Sequence, residues 1–154
     1  MVPRINKKTF CKELQQLVEM VVLNTIQQTQ YNTIVFIIAK KEGSVRFITD
    51  YHRLNQKLVR KLYLLSIIGN TMKYLKVFQY ETASDLNMGY YTIRIFRDSQ
   101  YMTTIVTEFV KFIYNFILMG MCTAGDIFQA KVDEIIGDIK VIKTYIDHML
   151  VIRN

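Results

Sequence analysis

Apolar and polar positions along the chain follow two periods, and the switches between them outline its elements. Phe10, Leu14, Leu17, Val18 and Val21 recur at helical spacing, which predicts an amphipathic helix over residues 10–24 with Thr9 as its N-cap. Thr33–Ala39 is apolar and β-branched and predicts a buried strand. Lys40-Lys41-Glu42-Gly43-Ser44 has turn chemistry and Val45–Thr49 resumes the β pattern, so the two strands form a hairpin with a basic tip. Ser66 can cap a helix through about residue 76, with Ile68, Met72 and Leu75 on one face. Residues 77–86 predict a strand that ends in Ser84-Asp85-Leu86, followed by a turn at Gly89 and a segment over 90–95. Residues 105–121 predict two strands. Asp126 then caps a helix whose Phe128, Val132, Ile135 and Ile136 face inward, and Gly137 closes it. Residues 141–153 predict two short strands around Asp147-His148. Helix, hairpin, helix, strands, helix and hairpin in this order predict an α+β fold.

Composition narrows the class. With 154 residues, 51% of them hydrophobic and 21% charged, the chain can bury the core of one domain and is not a disordered tail. Its longest unbroken apolar run spans residues 34–39, far short of the roughly 20 residues that a membrane-spanning helix needs. No membrane partner is expected, and residues 1–10 lack the apolar stretch of a secretory signal. Cys11, Cys122, His52 and His148 have no zinc-binding spacing. The expected setting is intracellular and reducing, in a cytoplasmic particle or the nucleus. Only one proline is present, and no tryptophan.

Charge is concentrated. Residues 40–76 hold nine Lys/Arg against two acids and account for the whole net charge of +7. Tyr51, Tyr63 and Tyr74 lie among these cations. Cations interleaved with aromatics suit a polyphosphate backbone, because each neutralised phosphate releases counterions. An ordinary solvated basic face has the same composition.

Two acids stand out by position. Asp85 ends one strand pattern, and Asp147 sits in the turn of Tyr145-Ile146-Asp147-His148. Each interrupts an apolar run, where a carboxylate is costly to bury unless it is paired or binds a metal. Taken singly, each also fits an ordinary turn position.

The motifs around them, in this order, give the chain a family resemblance. Lys40-Lys41-Glu42-Gly43-Ser44-Val45-Arg46-Phe47, Asp50-Tyr51-His52-Arg53-Leu54-Asn55, and Phe78 through Asp85-Leu86-Asn87-Met88-Gly89-Tyr90-Tyr91 form the first three blocks. Gly120 and Cys122 with Asp126-Ile127-Phe128-Gln129, and then Tyr145-Ile146-Asp147-His148, complete the series. In order and spacing they resemble the reverse transcriptases of gypsy-like LTR retrotransposons, from about Lys12 to the last residue. The resemblance implies a right-hand polymerase fragment, one reverse transcriptase domain over residues 1–154. Fingers would occupy about 1–77 and palm about 78–154, with an antiparallel palm sheet packed on helices and no thumb.

The same resemblance implies the chemistry: RNA-directed DNA synthesis by two-metal nucleotidyl transfer. Asp85 and Asp147 would be catalytic and would hold two Mg²⁺ ions, with help from the Leu86 carbonyl; hard Mg²⁺ calls for such oxygen ligands. Lys40 and Arg46 would reach the incoming deoxynucleoside triphosphate, and Tyr90 would lie under its sugar. Outside the motif, Tyr90 and Tyr91 read equally as core aromatics. Asn55, Arg53, Lys57 and Lys61 would touch the RNA or DNA template-primer. The rest of a polyprotein, including thumb and RNase H, is an expected partner that this chain does not contain.

The departures from the pattern matter as much. His148 stands where a second aspartate is expected, so one metal site loses a charged oxygen ligand and activity is expected to be impaired. His52 replaces an arginine, and Phe109 a tryptophan. Ile34, Ala39, Leu64, Ser66, Glu108, Leu118 and Gly125 stand at proline positions, which explains the scarcity of proline. The rival reading is a catalytically silent, nucleic-acid-binding remnant of a mobile element.

Overall fold

The computed structural model describes residues 7–39, 45–63, 79–108 and 110–153. The chain forms two compact units, each drawn from two separate stretches: residues 1–58 with 94–121, and 59–93 with 122–154.

The first unit is a five-stranded sheet with a helix on it. Helix α1 (Lys7–Glu19) buries Phe10, Leu14 and Leu17, one stripe of the helical spacing. It stops earlier than the predicted residue 24, and Thr9 lies inside it instead of capping it. The stop is a Schellman-type closure. The Val22 amide bonds the Leu17 carbonyl and the Val21 amide bonds that of Val18, both at 2.9 Å. Val21 takes the left-handed conformation this requires, at φ 58°. The closure leaves Val18 and Val21 exposed, turns Val22 and Leu23 inward, and starts a strand, β1 (Leu23–Ile26), where the periodicity predicted more helix.

Strands β2 (Thr33–Ala39) and β3 (Val45–Thr49) pair antiparallel, as the hairpin pattern predicted. The turn residues 40–44 lie outside the described residues. A short helix, α2 (His52–Asn55), follows and was not predicted. Strands β5 (Ile105–Val106) and β6 (Lys111–Tyr114) complete the sheet in the order β1-β6-β5-β2-β3, with only β2 and β5 parallel. Phe10 of α1 stacks on Phe47 of β3 with ring centroids 5.1 Å apart. Strand β2 is not buried on both faces as expected. Val35 is buried, whereas Ile34, Phe36 and Ile38 are about half exposed or more. Alternation along a strand gives the helix only one face to cover.

The second unit holds β4 (Tyr80–Asp85), helix α3 (Ala124–Ile136), β7 (Ile142–Tyr145) and β8 (His148–Arg153). Its sheet is antiparallel, in the order β4-β8-β7. Phe128 and Val132 of α3 are buried as predicted, but Ile135 is 77% exposed. Asp126 does not cap the helix. Thr123 occupies the N-cap, and Asp126 lies in the first turn, where a carboxylate still suits the helix dipole. The helix predicted over 66–76 lies outside the described residues.

Candidate functional site

The second unit brings the two singled-out carboxylates together. Asp85 ends β4 and pairs with His148, the first residue of β8. Asp147 occupies the two-residue turn between β7 and β8, because Tyr145 pairs with His148. The Leu86 amide donates to the Asp147 carbonyl at 2.8 Å, tying the end of β4 to that turn. Backbone pairing alone therefore puts both acids at one end of one sheet. Burial does not explain their cost, contrary to the apolar runs around them. The Asp85 side chain is 75% exposed and that of Asp147 36%.

The third member is the histidine. His148 Nδ1 lies 2.5 Å from Asp85 Oδ1, and its Nε2 lies 3.7 Å from Asp147 Oδ1. The hydrogen bond to Asp85, reinforced by the charges of Asp85 and Asp147, raises the imidazole above its ordinary value of 6.5. Hard cations prefer oxygen donors. Here a ring nitrogen occupies one carboxylate oxygen, and among the described residues no three His, Cys, Asp or Glu side chains are spaced to hold an ion. As arranged, this donor set does not fit a pair of Mg²⁺ ions.

The turn itself is strained and anchored. A two-residue hairpin turn needs a positive φ, and Ile146 supplies it at 56° while Asp147 does not, the type II′ pattern. Glycine usually takes this position. A β-branched residue there costs on the order of 1–3 kcal/mol. The Ile146 amide donates to Gln129 Oε1 at 2.6 Å, and Gln129 is 2% exposed.

Beside the turn, Tyr90 packs on Phe128 with centroids 5.0 Å apart. Burial, and then the charge of Asp147, raises its hydroxyl above the ordinary 10.0. Gly89 is needed at this packing: a Cβ on it would lie 2.6 Å from Phe128 Cζ.

Sequence reasoning missed the polar side of α3. Asp126, Gln129 and Asp133 recur at i, i+3 and i+7, a polar stripe of which the sequence pattern marks Asp126 as a cap and Gln129 only as part of a motif. Buried Asp126 accepts from Arg60 Nε at 2.8 Å and from the Tyr63 amide at 3.3 Å. The arginine bond holds its carboxyl below the usual range against the opposing effect of burial. Asp133 accepts from the Tyr63 hydroxyl at 2.9 Å, from Gln129 Nε2 at 2.8 Å and from Thr144 Oγ1 at 3.2 Å.

The remaining candidates belong to other stretches of the chain. Within the first unit, Arg53 and Lys57 line a cleft of about 650 Å³ together with Tyr31, Asn32 and Gln56. Lys57 Nζ sits 5.4 Å from the Tyr31 ring centroid. Asn55 donates its side-chain amide to the Gly120 carbonyl at 2.9 Å, where Gly120 has φ 106°. Lys61, in the second unit, is exposed. Lys40 lies outside the described residues, and Arg46 is placed only by its β3 position opposite Ile38. Among the described residues, no helix is long and apolar enough to cross a membrane.

Comparison with known proteins gives one consistent answer. No family model matches the chain. The Transposon Tf2-3 and Tf2-7 polyproteins of Schizosaccharomyces pombe are 27% and 26% identical to it over 119 residues, which is 76% of the chain. The chain spans only 9% of their length. Among solved structures, a foamy viral protease-reverse transcriptase in complex with double-stranded DNA matches 98% of the chain at a TM-score of 0.85 and 21% identity. The same kind of protein in complex with an RNA/DNA hybrid matches 98% at 0.84 and 20% identity. The chain covers 32% and 20% of those two structures. The chain is thus similar in sequence to retrotransposon polyproteins and in fold to a viral protease-reverse transcriptase.

Proposed function

We propose that the chain is the reverse transcriptase domain of a gypsy-like retrotransposon polyprotein, with its nucleotidyl transfer impaired at His148. In this reading residues 1–77 act as fingers and 78–154 as palm. Template-primer is held through Arg53, Asn55, Lys57 and Lys61, and a deoxynucleoside triphosphate through Lys40, Arg46 and Tyr90. Asp85 and Asp147 are the catalytic carboxylates, supported by Leu86. The observation that carries the impairment is the contact of His148 Nδ1 with Asp85 Oδ1. It ties up an oxygen that catalysis needs free and leaves the site one carboxylate short. Nucleic-acid binding draws on separate residues and survives the change. The same contact therefore favours a silent, nucleic-acid-binding remnant as the second reading.

The test grafts residues 1–154 onto the remaining modules of an active relative and compares primer extension with the same graft carrying His148→Asp. Loss of one charged ligand is expected to cost about 10²-fold or more in rate. Negligible extension by the first graft and a measurable gain in the second support the impaired enzyme. Equal, robust extension by both would show the palm competent as it stands. No extension by either, with nucleic-acid binding intact, leaves the silent remnant.

A further inference from the structure

We propose that Gln129 is the positioning residue of the Ile146-Asp147 turn, holding the strained backbone in the one conformation that aims Asp147 at the end of β4. The inference rests on the functional reading above only for what Asp147 does. The anchoring itself stands on geometry.

Three observations converge. First, the turn cannot rest on its own preferences, since Ile146 is β-branched and sits at φ 56°. Secondly, the amide of that same residue is captured at 2.6 Å by an acceptor from a different element. Thirdly, the captor is itself immobilised. Gln129 is 2% exposed, and its Nε2 donates to Asp133 Oδ1 at 2.8 Å and to Thr144 Oγ1 at 3.0 Å. Both donor contacts orient the amide so that Oε1, and not the NH₂ group, faces the turn. Asp133 is fixed in turn by the Tyr63 hydroxyl. A rigid helix, not the hairpin, thereby sets where Asp147 sits. Without the captor, the turn is free to relax toward a conformation that Ile146 prefers.

Amide hydrogen exchange and ¹H–¹⁵N chemical shifts of the full 154-residue chain test this. Gln129→Met keeps the volume and removes the acceptor. It should lower protection of the Ile146 amide about tenfold, the worth of one hydrogen bond, and shift the Asp147 amide. The Ile152 amide, which bonds the Val141 carbonyl at 2.9 Å within the same sheet, should stay unchanged. Adding Ile146→Gly, which accepts a positive φ without strain, should return the Asp147 shift toward the parent value. Unchanged Ile146 protection overturns the proposal. So does a loss shared equally by Ile152, which would make Gln129 a general packing residue, and so does failure of the glycine rescue. Mn²⁺ added alone to His148→Asp separates the two readings: absence of broadening at Asp85 and Asp147 counts against the functional reading, whereas the amide data decide the anchoring.

Discussion

His148 Nδ1 lies 2.5 Å from Asp85 Oδ1, so the residue after the turn aspartate closes onto the carboxylate at the end of the neighbouring strand. Register produces this contact. Asp85 and His148 are directly paired across β4 and β8, which puts their side chains on the same face. With side chains 67% and 75% exposed, the pair is held in water and is open to salt.

The histidine should therefore titrate high. In an NMR titration, His148 should show a pKa above the ordinary 6.5, because the Asp85 hydrogen bond stabilises its charged form. Asp85→Asn should bring it back down, leaving only the weaker influence of Asp147. The contribution of the pair to stability is full below 6.5 and fades as pH rises through the elevated value. An unshifted His148 would mean that the contact does not persist in solution.

Asp126 should act at the other end of the pH scale. Its folded carboxyl lies below the ordinary 3.8, chiefly through Arg60. The stability it supplies is complete above that value and is lost as pH falls through the lower folded one. Urea midpoints measured from pH 7 to pH 2 should converge for the parent chain and Arg60→Gln at the acid end and differ most near neutrality. Parallel profiles at every pH would assign the effect of Arg60 to something other than Asp126.

Gly89→Ala should destabilise by about 1–3 kcal/mol, the usual range for overpacking. Its new methyl would lie 2.6 Å from Phe128 Cζ, and Phe128 is 3% exposed beneath Tyr90. Chemical denaturation measures it directly. A second change, Phe128→Leu, should recover part of that loss by making room, so that the two changes together cost less than their sum.

Binding to single-stranded RNA should fall steeply with salt in fluorescence anisotropy. Replacing Arg53 and Lys57 of the Tyr31 cleft by glutamine should lower the slope of log K against log salt by about 1–2, at roughly 0.7 for each phosphate that is no longer neutralised. An unchanged slope would remove the cleft from the nucleic-acid surface.

Local chemistry made much of this chain legible without a structure. The β2–β3 hairpin, the strand ending at Asp85, the helix around Phe128 and the turn at Asp147 all follow from period, turn residues and motif order, which act over a few neighbours. Elements whose limits depend on distant packing were not legible. Helix α1 ends at Glu19 because Val22 and Leu23 are wanted in the sheet core, and nothing in their helical spacing says so. Nor does the order of residues show that 94–121 folds with 1–58. The site divides the same way. That a histidine follows the turn aspartate can be read from one position, but that it reaches Asp85 depends on a strand register joining residues 63 positions apart. The support of Gln129 for Ile146 is likewise tertiary, since a buried amide shows its partners only once helix and hairpin have met.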